Sequence, residues 1–210
     1  MKYLIATLTI MFSFLNVFSQ NTKVDTSFTY GEFKAGYGIS LFGEGLKERY
    51  DAGNYSTSGG GVYNIGAYRK FKKINYLNLG LKFKALGAAP ASNINGDEMF
   101  FNFWGAALST KYYPFNKTAN KGFVILVDYF FITQFTQKYR NEAAKVYDHQ
   151  FAIGSGVGAG IGYEFAVFKN RFKGCFSIDY EFDSRTGEVN NLGSKTFLSH
   201  CISTSLGFKF

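Results

Sequence analysis

Proline, cysteine, histidine and tryptophan are all scarce in this chain of 210 residues, which contains two, two, two and one of them. So few prolines exclude a proline-rich linker and leave long stretches free to hydrogen-bond without interruption. Two cysteines and two histidines are too few for a disulfide framework, and their spacing matches no zinc pattern. Cys175 and Cys201 both fall on the inward face of their predicted strands, one near the end of the short turns and the other well above it. A disulfide needs Cα atoms within about 7 Å, so two free thiols are expected. Also missing, beyond Phe18, is any run near the ~18 apolar residues of a membrane-spanning helix.

Aromatics and glycine are what the chain has in quantity. Its 25 Phe, 15 Tyr and 24 Gly, without helix-favouring runs, point to an all-β protein. Mean hydropathy is near zero because apolar residues alternate with polar ones, a pattern that hides a membrane β-protein from a hydropathy window. The clearest stretch is Phe151–Phe165, FAIGSGVGAGIGYEF. Alternate residues of a strand share a face. One face here is Phe151, Ile153, Ser155, Val157, Ala159, Ile161, Tyr163 and Phe165; the other has five glycines with Ala152 and Glu164. An oily face backed by a nearly bare one fits a barrel with lipid outside and a crowded lumen inside.

Met1-Lys2, the apolar Tyr3–Phe18 and the small residues Val17 and Ser19 form a secretory signal peptide, residues 1–19, with cleavage before Gln20. No cysteine follows at once, so no lipoprotein anchor is expected. Residues 20–26 are a short periplasmic lead, and 27–210 form one barrel domain. Strands are predicted at Phe28–Leu41, Gly60–Phe71, around Leu77–Ala85, at Phe100–Tyr113, Phe123–Thr133, Phe151–Phe165, around Phe176–Phe182 and on to Phe210. Strand five is apolar on both faces except for Asp128, so its facing stays open. Longer polar loops are expected at Gly43–Ser58, after Leu86, at Phe135–His149, where RNEAAK tolerates helix, and at Asp183–Lys195. They alternate strictly with three short turns.

This is the pattern of an eight-stranded antiparallel up-and-down transmembrane β-barrel, with short periplasmic turns and longer outside loops. A soluble barrel would show the same alternation with its oily face inward. The charges separate the two. Lys34, Lys82, Lys84, Lys111 and Lys209 share the bare faces with Glu32, Asp128, Glu164, Asp179 and Glu181, while the aromatic faces have few charges away from the strand ends. Exposing such an aromatic surface to water is rare in monomers, so lipid is the expected surroundings.

In the last strand Phe210, Phe208, Leu206, Thr204, Ile202, His200 and Leu198 share a face. This resembles the C-terminal assembly signal of Gram-negative outer-membrane barrels, with Phe210 as the terminal aromatic and Phe208, Leu206 and Ile202 as alternating hydrophobics. Thr204 departs from it, being polar. With the leader and eight strands, the chain resembles the small OmpA/OmpX-type barrels, and differs from OmpA in having no following domain to bind peptidoglycan. The resemblance implies localisation in the cell outer membrane and recognition by the barrel assembly machinery. It is architectural and names no activity.

Candidate chemistry is sparse. The glycines of Gly154–Gly162 continue at period two inside a strand, which excludes a dinucleotide loop. The lipid-facing His-x-Ser pattern of barrel lipid deacylases is absent, since Cys201 and Ile202 follow His200, and Gln150 and Phe151 follow His149. Thr204 shares the face of His200 but lies ~13 Å along the strand, too far to be activated by it. His200 is expected near the outer rim as an interfacial residue. The net charge of +8 gathers in the short turns, as Arg69, Lys70, Lys72, Lys73, Lys117, Lys121, Lys169, Arg171 and Lys173. Such a girdle suits lipid headgroups better than nucleic acid, although charge in turns also serves solubility alone. The expected function is non-catalytic and needs no cofactor or metal. It is a structural or surface-interaction role through the outer loops, as a monomer among outer-membrane lipids. The alternatives are a narrow channel for ions or small solutes and, more distantly, a lipid-modifying barrel enzyme.

Overall fold

The computed structural model describes residues 28–43, 57–71, 76–88, 98–115, 121–141, 146–167, 172–189 and 193–210. The expected leader, 1–19, and lead segment, 20–26, lie outside them. The described residues form eight strands: β1 Phe28–Phe42, β2 Thr57–Lys70, β3 Leu77–Ala88, β4 Glu98–Tyr112, β5 Gly122–Asn141, β6 Val146–Val167, β7 Phe172–Val189 and β8 Gly193–Lys209. Each pairs antiparallel with its neighbour in sequence, and β1 pairs with β8, so the sheet closes into an up-and-down barrel.

Period-two alternation decides which side chains enter. Lys82 and Lys84 of β3 are 3% and 4% exposed, whereas Leu79 and Leu81 on the opposite face are 42% and 41% exposed. The barrel is therefore inverted relative to a soluble protein, with charge inside and an apolar, aromatic band outside. Tyr37, Tyr63, Leu108, Val127, Val157 and Leu206 are among that band's most exposed members.

Strand β5 explains why its facing stays open in the sequence. Val124, Leu126, Asp128 and Phe130 point inward, and then the register shifts between Phe130 and Thr133 against β6. Past this bulge Thr133, Phe135 and Gln137 point inward instead. A bulge adds residues to one strand and re-aims the side chains beyond it, so no single parity describes β5. At the other end of the barrel Gly122, with φ of 96°, supplies the left-handed backbone that leads into β5.

Two expected loops are strands for most of their length. Phe135–Asn141 continues β5 and Val146–His149 belongs to β6, with partners running to Asn141↔Val146. Likewise Asp183–Val189 and Gly193–Lys195 extend β7 and β8, with partners to Val189↔Gly193. Of RNEAAK, Arg140 and Asn141 are strand, and 142–145 lie outside the described residues. Polar composition misled the reading because a strand outside the lipid needs only paired neighbours, not an apolar face.

These extensions make the outer end uneven. The β1–β8 pairing stops at Phe42↔Ser199 and β3–β4 at Ala88↔Phe101, while β4–β5 runs to Glu98↔Arg140. Among the described residues, strands β4 to β8 therefore extend beyond the ends of β1 to β3 as a wall. Along β8, from Ser199 to Gly193, the step is roughly 20 Å of strand at the usual rise. At the opposite end the β1–β8 seam closes on Phe210: Gly31 N donates to Phe210 O at 2.7 Å and Phe210 N to Gly31 O at 3.0 Å. The Phe210 ring occupies the space that a Cβ at Gly31 would take, 2.5 Å from Cε2.

Candidate functional site

The lumen is the first place to look for function, and it is filled in layers. At the end holding Phe210, Tyr30 and Tyr68 stack with ring centres 5.5 Å apart. Lys209 Nζ sits 4.0 Å from the centre of the Tyr30 ring and Lys111 Nζ 4.2 Å from that of Tyr68. Both ammonium groups also reach Glu164, at 2.6 and 3.3 Å, and Lys111 pairs with Glu32. Tyr113 donates its hydroxyl to Glu164 at 2.9 Å. One carboxylate thus gathers two lysines and a phenol, which suits a charge removed from water.

The middle layer pairs Lys82 with Asp128 at 2.6 Å and places Asp179 4.0 Å away. Lys34 Nζ donates to Ser177 at 2.8 Å and lies 3.5 Å from Glu32, and Ser177 donates to Asp179 at 2.7 Å. Above this, Lys84 donates to Glu181 at 2.8 Å. The ten lumen charges expected from the sequence are all buried. Two more join them from the segment read as a loop: Arg185 contacts Asp183 at 2.8 Å and donates to Ser199 at 2.6 Å. Their period-two continuation of Asp179 and Glu181 was the available signal.

A phenylalanine cap covers the uppermost layer. Phe42, Phe101, Phe103, Phe135 and Phe197 form one buried cluster with Val62, Leu86, Ala88, Ala152 and Cys201. Ring centres lie 5.1 Å apart for Phe42–Phe101, 5.0 Å for Phe103–Phe135 and 6.4 Å for Phe135–Phe197, within the usual range for packed aromatics. The Arg185 guanidinium lies 5.3 Å from the Phe103 ring centre and joins the cap to the charges below. Every strand except β7 contributes to this cap, so no local stretch announces it.

The glycines of β6 make room for neighbours on the adjoining strands. A Cβ at Gly156 would collide with Asp183, one at Gly160 would lie 2.6 Å from Asp179 Oδ1, and one at Gly158 3.2 Å from the Phe130 ring. The space therefore goes to side chains of β5 and β7. Cys175 and Cys201 are buried free thiols: Cys175 is opposite Gly207 low in the barrel, and Cys201 is opposite Glu181.

Outside the lumen, His200 lies on the lipid face, its Nδ1 2.6 Å from the Tyr180 hydroxyl and its ring 5.0 Å from that of Phe182. The side chain of His149 lies outside the described residues. Of the basic girdle, Arg69 and Lys70 end β2, Lys121 precedes β5 and Lys173 is in β7 opposite Lys209. Lys72, Lys73, Lys117, Lys169 and Arg171 lie outside the described residues. Phe208, Leu206 and Ile202 face outward, as does Phe210.

No family model and no curated protein matches the chain. Among solved structures it resembles Ail, the attachment invasion locus protein of Yersinia pestis, in complex with the heparin analogue sucrose octasulfate. The TM-score is 0.55 at 11% identity over 87% of this chain and 99% of that one. A major outer membrane protein of Thermus thermophilus gives 0.54 at 9% identity, covering 86% and 98%. Neisserial surface protein A gives 0.50 at 17%, covering 89% and 100%. At such identities the likeness is one of fold. With the apolar band outside and the ion pairs within, the chain has the fold of the small eight-stranded outer-membrane barrels, a transmembrane β-barrel closed by antiparallel strands.

Proposed function

We propose that this barrel is a non-catalytic outer-membrane protein that acts through its outer wall of β4 to β8, as a structural or surface-interaction protein. The observation that supports this most is the phenylalanine cap over a charge-balanced lumen. A narrow channel would need a continuous aqueous path, and a filled interior is the ordinary state of eight strands. A lipid-modifying enzyme would need a nucleophile held by a base. The hydrogen-bond partner of His200 is a phenol, a group better suited to anchoring than to acyl transfer.

In this reading outer-membrane lipids surround the band, the basic girdle meets inner-leaflet headgroups, and Phe210 with Phe208, Leu206 and Ile202 is read by the assembly machinery. The barrel works as a monomer, without cofactor or nucleic acid. A sulfated polysaccharide is the first probe to try, since Ail, similar in fold, was crystallised with a heparin analogue. Gln137 is opposite Gln150, so replacing 138–149 with Asn-Gly shortens the β5–β6 hairpin without changing its register. The intact barrel should be retained on heparin or extracellular-matrix surfaces, and the shortened one lost from them while still folding. Equal retention of both forms would move the interaction away from this wall.

A further inference from the structure

On the outer face of β6, β7 and β8, hydroxyl side chains begin to interleave with the apolar ones at one level. Below it are Ala159, Tyr180 and Ile202; at it are Val157, Phe182 and His200, paired side by side. Above it Ser184 lies between Ser155 and the apolar Leu198, and Thr186 between Ile153 and Thr196. His200 thus lies diagonally between Tyr180 and Ser184, with neighbouring strands about 4.8 Å apart. From Phe210 to His200 the strand climbs roughly 25 Å at the usual rise and tilt, the height of a barrel's apolar band. The patch therefore sits where lipid tails give way to headgroups.

We infer that this quadrant binds the phosphate of an outer-leaflet lipid headgroup, with His200 as the central donor. When Tyr180 donates its hydroxyl to Nδ1, the imidazole proton stays on Nε2 and can be offered to a second partner. Ser184, on the diagonal next to it, adds a hydroxyl donor. Along β7 the nearest outward register position with a carboxylate is Glu188, six residues beyond Phe182 and so roughly 20 Å up the strand, more than a Debye length from an anion at His200. An ionisable side chain on a lipid-facing surface is costly unless a polar partner meets it, and at this depth phosphate is that partner. Phe182 and Tyr180, whose rings pack at a tilt against the imidazole, fix its orientation and pack against the upper acyl chain.

The test uses the full barrel in phosphatidylcholine nanodiscs containing one-fifth phosphatidic acid, released into the gas phase for native mass spectrometry. Phosphatidic acid should be retained in preference to phosphatidylcholine. His200→Phe, and separately His200→Gln with Ser184→Ala, should lower that preference by about tenfold, the worth of one charge-assisted hydrogen bond. Heat-modifiable gel mobility shows that each variant is folded, and the two variants differ enough in shape for one to serve if the other fails. Equal retention of both lipids by the native barrel, or an unchanged preference in folded variants, would overturn the assignment. So would full displacement of the lipid by millimolar inorganic phosphate, which would assign the patch to a soluble anion.

Discussion

Asp128→Asn distinguishes a packed lumen from a wet one. Lys82 Nζ is 2.6 Å from Asp128 and 4.0 Å from Asp179, and all three side chains are nearly inaccessible. The substitution keeps the shape and removes one negative charge, leaving the ammonium with a single, more distant carboxylate. Breaking a buried pair in this way costs about 3–5 kcal/mol, and the nearby Asp179 places the expected loss near the lower end. If water filled the lumen, the same pair would be worth only ~0–1 kcal/mol. Replacing both partners, Lys82→Met with Asp128→Leu, should recover most of the loss, because apolar side chains of similar volume substitute well for a buried pair. Phe130, 6.0 Å from Lys82 Nζ, offers them an apolar neighbour. Urea unfolding in lipid vesicles, followed by the fluorescence of the single tryptophan, Trp104, measures all three proteins. A loss below about 1 kcal/mol for Asp128→Asn, without recovery in the double variant, would refute the packed lumen.

Gly158→Leu should hinder folding by about 1–3 kcal/mol of overpacking, since its Cβ meets Phe130, Asp128 and the Tyr180 carbonyl within 3.4 Å; normal refolding of this variant would contradict the packing. In a planar bilayer the intact barrel should show no steady conductance, and Phe135→Ser should lower stability by roughly 3 kcal/mol and bring intermittent openings. A large, stable conductance in the unaltered protein would move the function to transport. Phe210→Ala should reduce the amount assembled in the outer membrane while Phe210→Tyr preserves it, and equal assembly of the two would count against the terminal aromatic. Lys209→Gln should lower stability by itself, because Lys209 is buried against Glu164. In detergent the protein should give a β-type circular dichroism spectrum and change gel mobility on boiling, and stable solubility as a monomer without detergent would sink the membrane assignment.

The barrel class was legible because strand periodicity is local. Alternation in Leu77–Ala85 and Phe151–Phe165 separates the faces residue by residue, and charge on one face with aromatics on the other identifies which solvent each meets. The ten lumen charges could be named one at a time for the same reason. Strand five could not be assigned, because the bulge after Phe130 exchanges its faces and only pairing with Gly154 and Gly156 reveals where. The wall was hidden because Thr136–Asn141 and Asp183–Val189 have a polar composition shared by loops and by strands beyond the lipid. The cap is a purely tertiary object: Phe42, Phe101, Phe135 and Phe197 come from four strands and meet only when the sheet closes. The joining of Tyr180 to His200 likewise depends on the β7–β8 register. Sequence alone determined the face each residue presents, since that follows from backbone geometry at period two. Closure, register and bulge decided which faces meet, since they depend on hydrogen bonds between segments far apart in the chain.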